Sequence, residues 1–170
     1  MIGKNLKYHF LFLLQIVATS LFAQNNFGYI NTDLIVTEMK ETKEVGNKLR
    51  TIGESYDEEF KELYSEYDTK RKKYESESTL KTETINRSRA QELSGMEERM
   101  QEFRQNASQE LQNKQNELMA PVIAKMNKAI SEVAKENGID FVFDTAQRNL
   151  AYSNDKYNLL KKVKKKLGIK

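Results

Sequence analysis

The sequence has no cysteine, no tryptophan, one proline and one histidine among its 170 residues. Without cysteine there is no disulfide, no thiolate nucleophile and no soft metal ligand, so the fold must hold by packing and hydrogen bonding alone. The one histidine, His9, falls in an N-terminal segment whose composition marks it for removal, which takes away the commonest general base as well. These absences argue against an enzyme. A carboxylate pair remains as a catalytic option, since Asp140 and Asp144 share one strand face, but acids at strand ends ordinarily cap turns. No G-x-x-x-x-G-K-[ST] loop occurs and the seven glycines are scattered, so neither a nucleotide nor another cofactor is expected.

What is present begins with an export signal. Lys4 and Lys7 precede an apolar run over residues 10–22, and Ala23 before Gln24 supplies a small residue for cleavage, so residues 1–23 read as a signal peptide. The run is too short and one-sided for a comfortable membrane span, and no cysteine follows it to carry a lipid anchor. Beyond it the chain carries 26 Lys+Arg against 25 Asp+Glu, unevenly placed. Residues 42–119 hold 14 basic and 17 acidic groups, whereas residues 120–170 hold 11 and 5. The densest basic piece, KKVKKK at 161–166, is either a solvated helix face or an attractor of anionic lipid, nucleic acid or acidic clients. Nucleic acid is set aside, because the segment lacks interleaved aromatics and the chain carries an export signal.

From Val45 the apolar positions run Leu49, Ile52, Tyr56, Phe60, Leu63 and Tyr67, spaced by three and four, which is one stripe of a helix. A second stripe follows through Leu93, Met96, Met100, Phe103, Ala107, Leu111 and Leu118. Between them SESTLKTET, residues 76–84, breaks the pattern and offers a fresh N-cap, so the chain is expected to fold back near Leu80. That pairing sets Leu49 near Leu111, Phe60 near Met100, Tyr67 near Leu93 and Gly53 near Ala107. A helical-hairpin arm over residues 42–119, with ~38 residues per helix, reaches ~57 Å. Two helices bury a single seam, so the arm is expected to flex.

Pro121 marks the root of the arm, as a kink or a new first turn, and Gly138 supplies a C-cap. The remaining body, residues 24–41 and 120–170, is expected to hold strands at 27–30, 140–145 and 149–153, a helix before Gly138 and a C-terminal helix. Three strands of about four residues with open edges do not make an independently stable sheet. Copies of the same chain can close those edges into a small barrel, so an obligate cyclic oligomer of α+β class is expected.

Three motifs carry a family resemblance: FGYINTDLIVTEM at the start, LMAPVIAKMNKAISEVAKENGIDFVFD in the middle and NLAYSNDKYNLLKKVKKKLGI at the end. They resemble the OmpH/Skp family of periplasmic chaperones over essentially the whole chain beyond residue 23, specifically at both ends and loosely in the arm. The resemblance implies a homotrimer: a small β-barrel body formed by trimerisation, with long antiparallel helical-hairpin (coiled-coil) arms around a central cavity. It also implies a periplasmic holder of unfolded outer-membrane β-barrel proteins that uses no ATP. The near-neutral charge departs from the strongly basic members of that family.

Tyr64 and Tyr74 lie off the centre of the first stripe and are candidates to face a client. Tyr56, Phe60, Tyr67, Met96 and Met100 are of types suited to adaptable contact, although their spacing fits the hairpin seam. Lys70, Arg71, Lys72, Lys73, Arg87 and Arg89 form a basic group near the tip that could meet acidic clients, anionic lipid or lipopolysaccharide phosphate; neighbours such as Glu75 and Glu77 offer them ordinary surface pairing instead. A rival reading is a periplasmic structural coiled-coil adaptor that binds a folded partner.

Overall fold

The computed structural model describes residues 26–148 and 150–169; the expected signal peptide and Asn149 of the expected last strand lie outside the described residues. The element order is β1 (Phe27–Ile30), α1 (Thr32–Val36), α2 (Lys40–Glu77), α3 (Glu83–Glu136), β2 (Phe141–Asp144) and α4 (Leu160–Leu167), with 3-10 turns at Ser78–Leu80 and Asp155–Tyr157. The chain divides into two compact units. One is Val36–Lys125; the other joins the segment ending at Ile35 to Met126–Lys170.

In the first unit, α2 and the N-terminal part of α3 form a long antiparallel hairpin. The reversal uses the Ser/Thr cluster: the Thr82 hydroxyl accepts from the Ile85 N–H at 3.4 Å, and the Asn86 amide donates to the Ser78 carbonyl at 2.8 Å. These bonds occupy backbone groups that a helix start and a helix end leave open. Burial along the hairpin is thin. Val45, Met96 and Val122 are buried together with Met39, while Leu49, Ile52, Leu63, Leu93, Leu111 and Leu118 are only half-buried. Helix α3 runs through Pro121, where the missing N–H removes a partner for the Glu117 carbonyl.

The register differs from the simple fold-back. Tyr67, expected beside Leu93, places its hydroxyl on Glu97, one turn further along. Phe60, expected beside Met100, does share a groove with it, while its ring also lies 6.4 Å from that of Phe103 and beneath the Arg104 guanidinium. Polar and aromatic partners, which hydrophobic spacing ignores, fix these positions.

The second unit is built around β1. Its Gly28 and Ile30 face inward with Met126, Ala129, Val133, Ala134, Leu159 and Val163 buried in the same unit. Strand β2 pairs with it in parallel, Phe27 opposite Phe141 and Ile30 opposite Asp144. On its other edge Asn158 bridges to Tyr29, and the Leu159 N–H donates to the Tyr29 carbonyl at 2.9 Å. Both edges of β1 are therefore occupied.

Residues 150–153, expected as part of a strand, form none. The sheet is two-stranded, and its one free edge is that of β2. The chain reverses after β2 through a turn in which Arg148 adopts φ 54°, an unusual left-handed conformation for a side chain of its size.

The carboxylates weighed as a catalytic pair serve the backbone. Asp144 accepts from the Thr32 N–H, the Thr32 hydroxyl at 2.6 Å and the Ala146 N–H, joining the end of β2 to the start of α1. Burial works against its ionisation, yet the Thr32 hydroxyl and the two N–H groups outweigh it and hold the carboxyl below the usual range. Asp140 accepts from the Asn26 N–H at 2.9 Å, and the Asn26 side-chain amide donates to the Gly138 carbonyl.

Gly28 is a close-approach position. A Cβ there would lie 3.1 Å from Leu159 Cδ1 and 3.2 Å from Ile139 Cδ1. Gly28→Val should therefore lower the unfolding free energy by about 1–3 kcal/mol through overpacking. Urea denaturation of the variant beside Gly53→Val, where a Cβ meets nothing within 4 Å, checks this; equal losses would contradict it.

Candidate functional site

Apolar surface left open to solvent is the raw material for holding another chain, and each unit carries a groove with such surface. In the hairpin unit an open groove of about 450 Å³ is lined by Phe60, Tyr64, Glu97, Met100, Gln101, Arg104 and Gln105. Helical spacing puts Phe60 and Tyr64 on one side and Met100 and Arg104 on the other, each pair four residues apart and so stacked on one face. Tyr64 is 53% exposed, while its ring leans on Tyr67 at 6.3 Å. The guanidinium of Arg104 lies 4.1 Å from the centre of the Phe60 ring, so a cation sits over an aromatic floor.

The other predicted side chains are engaged within the hairpin. Tyr56 and Phe60 both pack on Phe103, the former edge-on at 6.2 Å. Met96 is buried and Met100 half-buried. Tyr74, expected to point outward, donates to Glu92 at 2.6 Å and lies under the Arg89 guanidinium at 4.4 Å. Its partners across the turn hold it in the seam.

The basic group near the tip is largely paired. Lys70 meets Glu66 and Glu92, Arg71 meets Asp68 and Glu75, Lys72 meets Asp68, Arg87 meets Glu83 and Arg89 meets Glu77. Lys73 has no ion pair among the described residues. Leu80, at the reversal itself, is 79% exposed.

In the body unit, Phe27 stacks on Phe141 at 5.7 Å and lies 5.9 Å from Phe143, and all three rings remain exposed. An adjoining groove of about 400 Å³ is lined by Phe27, Tyr29, Phe143, Leu150, Tyr152 and Tyr157 among others, with Tyr152 at 82% exposure. Sequence reasoning did not single out these rings as a site. The signal was available: Phe141 and Phe143 are two apart, the period that places strand residues on one face. Arg104 and the acceptors Glu92 and Glu97 were also missed, since they lie on the polar side of the pattern.

The described residues hold no group of three or more His, Cys, Asp or Glu side chains placed to bind a metal, and no helix among them is long and apolar enough to cross a membrane. Against known proteins, the model of the OmpH-like outer membrane protein family matches residues 26–167. The chain belongs to that family. Among solved structures it is similar to an OmpH-like protein of Caulobacter crescentus CB15 assigned as an outer membrane chaperone, with a TM-score of 0.72 and 16% identity over 85% of each chain. At that identity the likeness shows the fold alone. No curated protein matches the sequence significantly. The OmpH-like membership agrees with the resemblance carried by the three sequence motifs.

Charge sets the pH range in which the hairpin seam of this OmpH-like chain is intact. The Lys125 ammonium beside Glu41, Lys72 and then Arg71 beside Asp68, Arg89 beside Glu77, and Lys70 with the Tyr74 hydroxyl beside Glu92 hold all four carboxyls below the usual range. Depressed carboxyl pKa values stabilise the fold above the unfolded value and lose that contribution as pH falls through the folded one. The Glu97 and Glu92 carboxylates, for their part, raise the pKa of Tyr67 and Tyr74, so those bonds persist until strongly alkaline pH. Thermal unfolding followed by circular dichroism should show a midpoint that is level between about pH 6 and 8 and falls below about pH 4. Glu77→Gln with Glu92→Gln should lower the neutral-pH midpoint and flatten the acid decline; an unchanged acid decline would contradict the assignment.

Proposed function

We propose that this OmpH-like chain is a periplasmic, ATP-independent holdase that acts as a homotrimer. Its body would close into a small barrel, and its hairpin arms would enclose unfolded outer-membrane β-barrel proteins and keep them from aggregating. Family membership supports the class of chaperone. The physical observation that carries the reading is the placement of apolar surface on open faces: a groove with an aromatic floor on the arm and a triad of rings on the sheet.

The chemistry suits a passive holder. An outer-membrane strand alternates apolar and polar residues and leaves its backbone edge unpaired, so in water it associates with any other such chain. It needs shielding rather than catalysis. A shallow groove offering Tyr64, Phe60 and Met100 beside Arg104, Glu97 and two glutamines can accept either kind of residue from a client without demanding one sequence. Each contact is weak, and several arms acting together would supply the affinity. The same weakness would permit release without a nucleotide.

The direct test is suppression of aggregation. A denatured outer-membrane barrel diluted into buffer should stay clear at stoichiometric amounts of the trimer, measured by light scattering. Tyr64→Ser leaves the Phe103 packing intact and should raise the amount needed for half protection by roughly two- to fivefold. Unchanged scattering with the native protein would instead support a structural adaptor that binds a folded partner.

A further inference from the structure

Two guanidinium groups of the hairpin lie over aromatic rings, and they differ in what completes them. Near the tip, Arg89 is 4.4 Å from the centre of the Tyr74 ring and donates to Glu77 at 2.5 Å, so ring, guanidinium and carboxylate form a full set. At mid-arm, Arg104 is 4.1 Å from the centre of the Phe60 ring. No carboxylate meets it, and it makes neither an ion pair nor a hydrogen bond among the described residues. The other arginines of the hairpin are engaged: Arg50 with Glu54, Arg71 with Asp68, Arg87 with Glu83, and Arg99 with the Gly95 carbonyl.

The sequence explains why Arg104 is left over. Residues three and four away on its helix face are Met100, Gln101, Ala107 and Ser108, none acidic, so α3 supplies no partner at the spacing that serves Arg50. Stacking fixes the plane of the group without using its donors, because a guanidinium carries its N–H groups around its rim. The side chain is exposed. A rigidly presented fork therefore stands free at the margin of the open groove.

The groove adds a second contact at a defined spacing. Tyr64 follows Phe60 by four residues on α2, and Met100 precedes Arg104 by four on the antiparallel α3, so both lie one helical turn, ~5.4 Å, closer to the tip than the stacked pair. In an extended chain, side chains on the same face are two residues and ~6.6 Å apart. A segment whose carboxylate meets Arg104 would thus set the side chain two positions on between the Tyr64 ring and the Met100 thioether. Glu97, further along the groove by ~10 Å of helix from Arg104, is occupied by the Tyr67 hydroxyl.

We propose that this groove selects client segments in which an Asp or Glu lies two residues from an aromatic side chain, with Arg104 as the specificity-determining residue. The inference rests on the holder reading and adds to it a preferred client sequence. The client carboxylate takes the place beside Arg104 that Glu77 takes beside Arg89. Charge alone does not suffice, since an ammonium at this position has neither the fork nor the flat face that rests on Phe60.

An array of short peptides tiled from an outer-membrane barrel, each acid-bearing spot paired with its Asn or Gln twin, tests this. The exported protein should be retained about three- to fivefold more on acidic spots than on their twins where an aromatic lies two residues away, and about equally elsewhere. Arg104→Gln and Arg104→Lys should both abolish the preference, the latter at unchanged net charge, while Arg99→Lys should keep it. Arg104 is exposed, and circular dichroism should show all three variants folded. Equal retention on acid and amide twins, a preference that survives in Arg104→Lys, or a preference for acids regardless of a neighbouring ring would each overturn the proposal. Light scattering with the same preparations separates this from the parent reading. Suppressed aggregation without sequence preference sinks the inference alone, preference without suppression sinks the holder reading and leaves the carboxylate site, and absence of both sinks the two together.

Discussion

Strand β1 is the piece on which the body depends. It accepts β2 on one edge and the backbone of Asn158 and Leu159 on the other, so segments more than a hundred residues apart in sequence are joined through four residues. Its inner face carries Ile30 into the core and uses Gly28 to let Leu159 and Ile139 come close. On its outer face Phe27 and Tyr29 line an open groove with Leu150, Tyr152 and Tyr157. A parallel sheet is normally sheltered on both sides, and here Phe27, Phe141 and Phe143 stack on one another in the open. The free edge of β2 and this row of rings are the surfaces that the proposed closure of the body by sister chains would cover.

The hairpin solves a different problem. It must be long, and a long pair of helices has one seam and no interior, so its stability cannot come chiefly from apolar burial. Polar and aromatic bonds across the seam make up part of the difference: Tyr67 with Glu97, Tyr74 with Glu92 and Arg89, Lys70 with Glu92, and Lys125 with Glu41 near the base. Such bonds are exposed and individually weak. The same sparseness leaves the groove beside Tyr64 open. An accessible apolar floor thus arises from the geometry of two helices.

Much of this was legible in the sequence. The two stripes of three-and-four spacing, the lapse at SESTLKTET and the apolar runs at 27–30 and 141–143 are local signals, and local signals give elements. What was not legible is what depends on distant partners. The register of Tyr67 is set by Glu97, a residue that hydrophobic periodicity counts only as surface. Tyr74 looked free because its stripe position ignores Arg89 and Glu92 across the turn. Residues 150–153 have strand-like composition, yet they join neither β1 nor β2, and composition alone does not say which chain segment reaches an edge. The aromatic triad required knowing that Phe27 lies opposite Phe141, a parallel pairing across most of the chain.

The shortage of core in one copy is the claim from which the holder reading follows, and analytical ultracentrifugation tests it most directly. Sedimentation equilibrium of the exported protein should give three copies per particle down to micromolar concentration, with dissociation on dilution accompanied by unfolding of the body. A monomer that stays folded and cooperative when dilute would contradict the account.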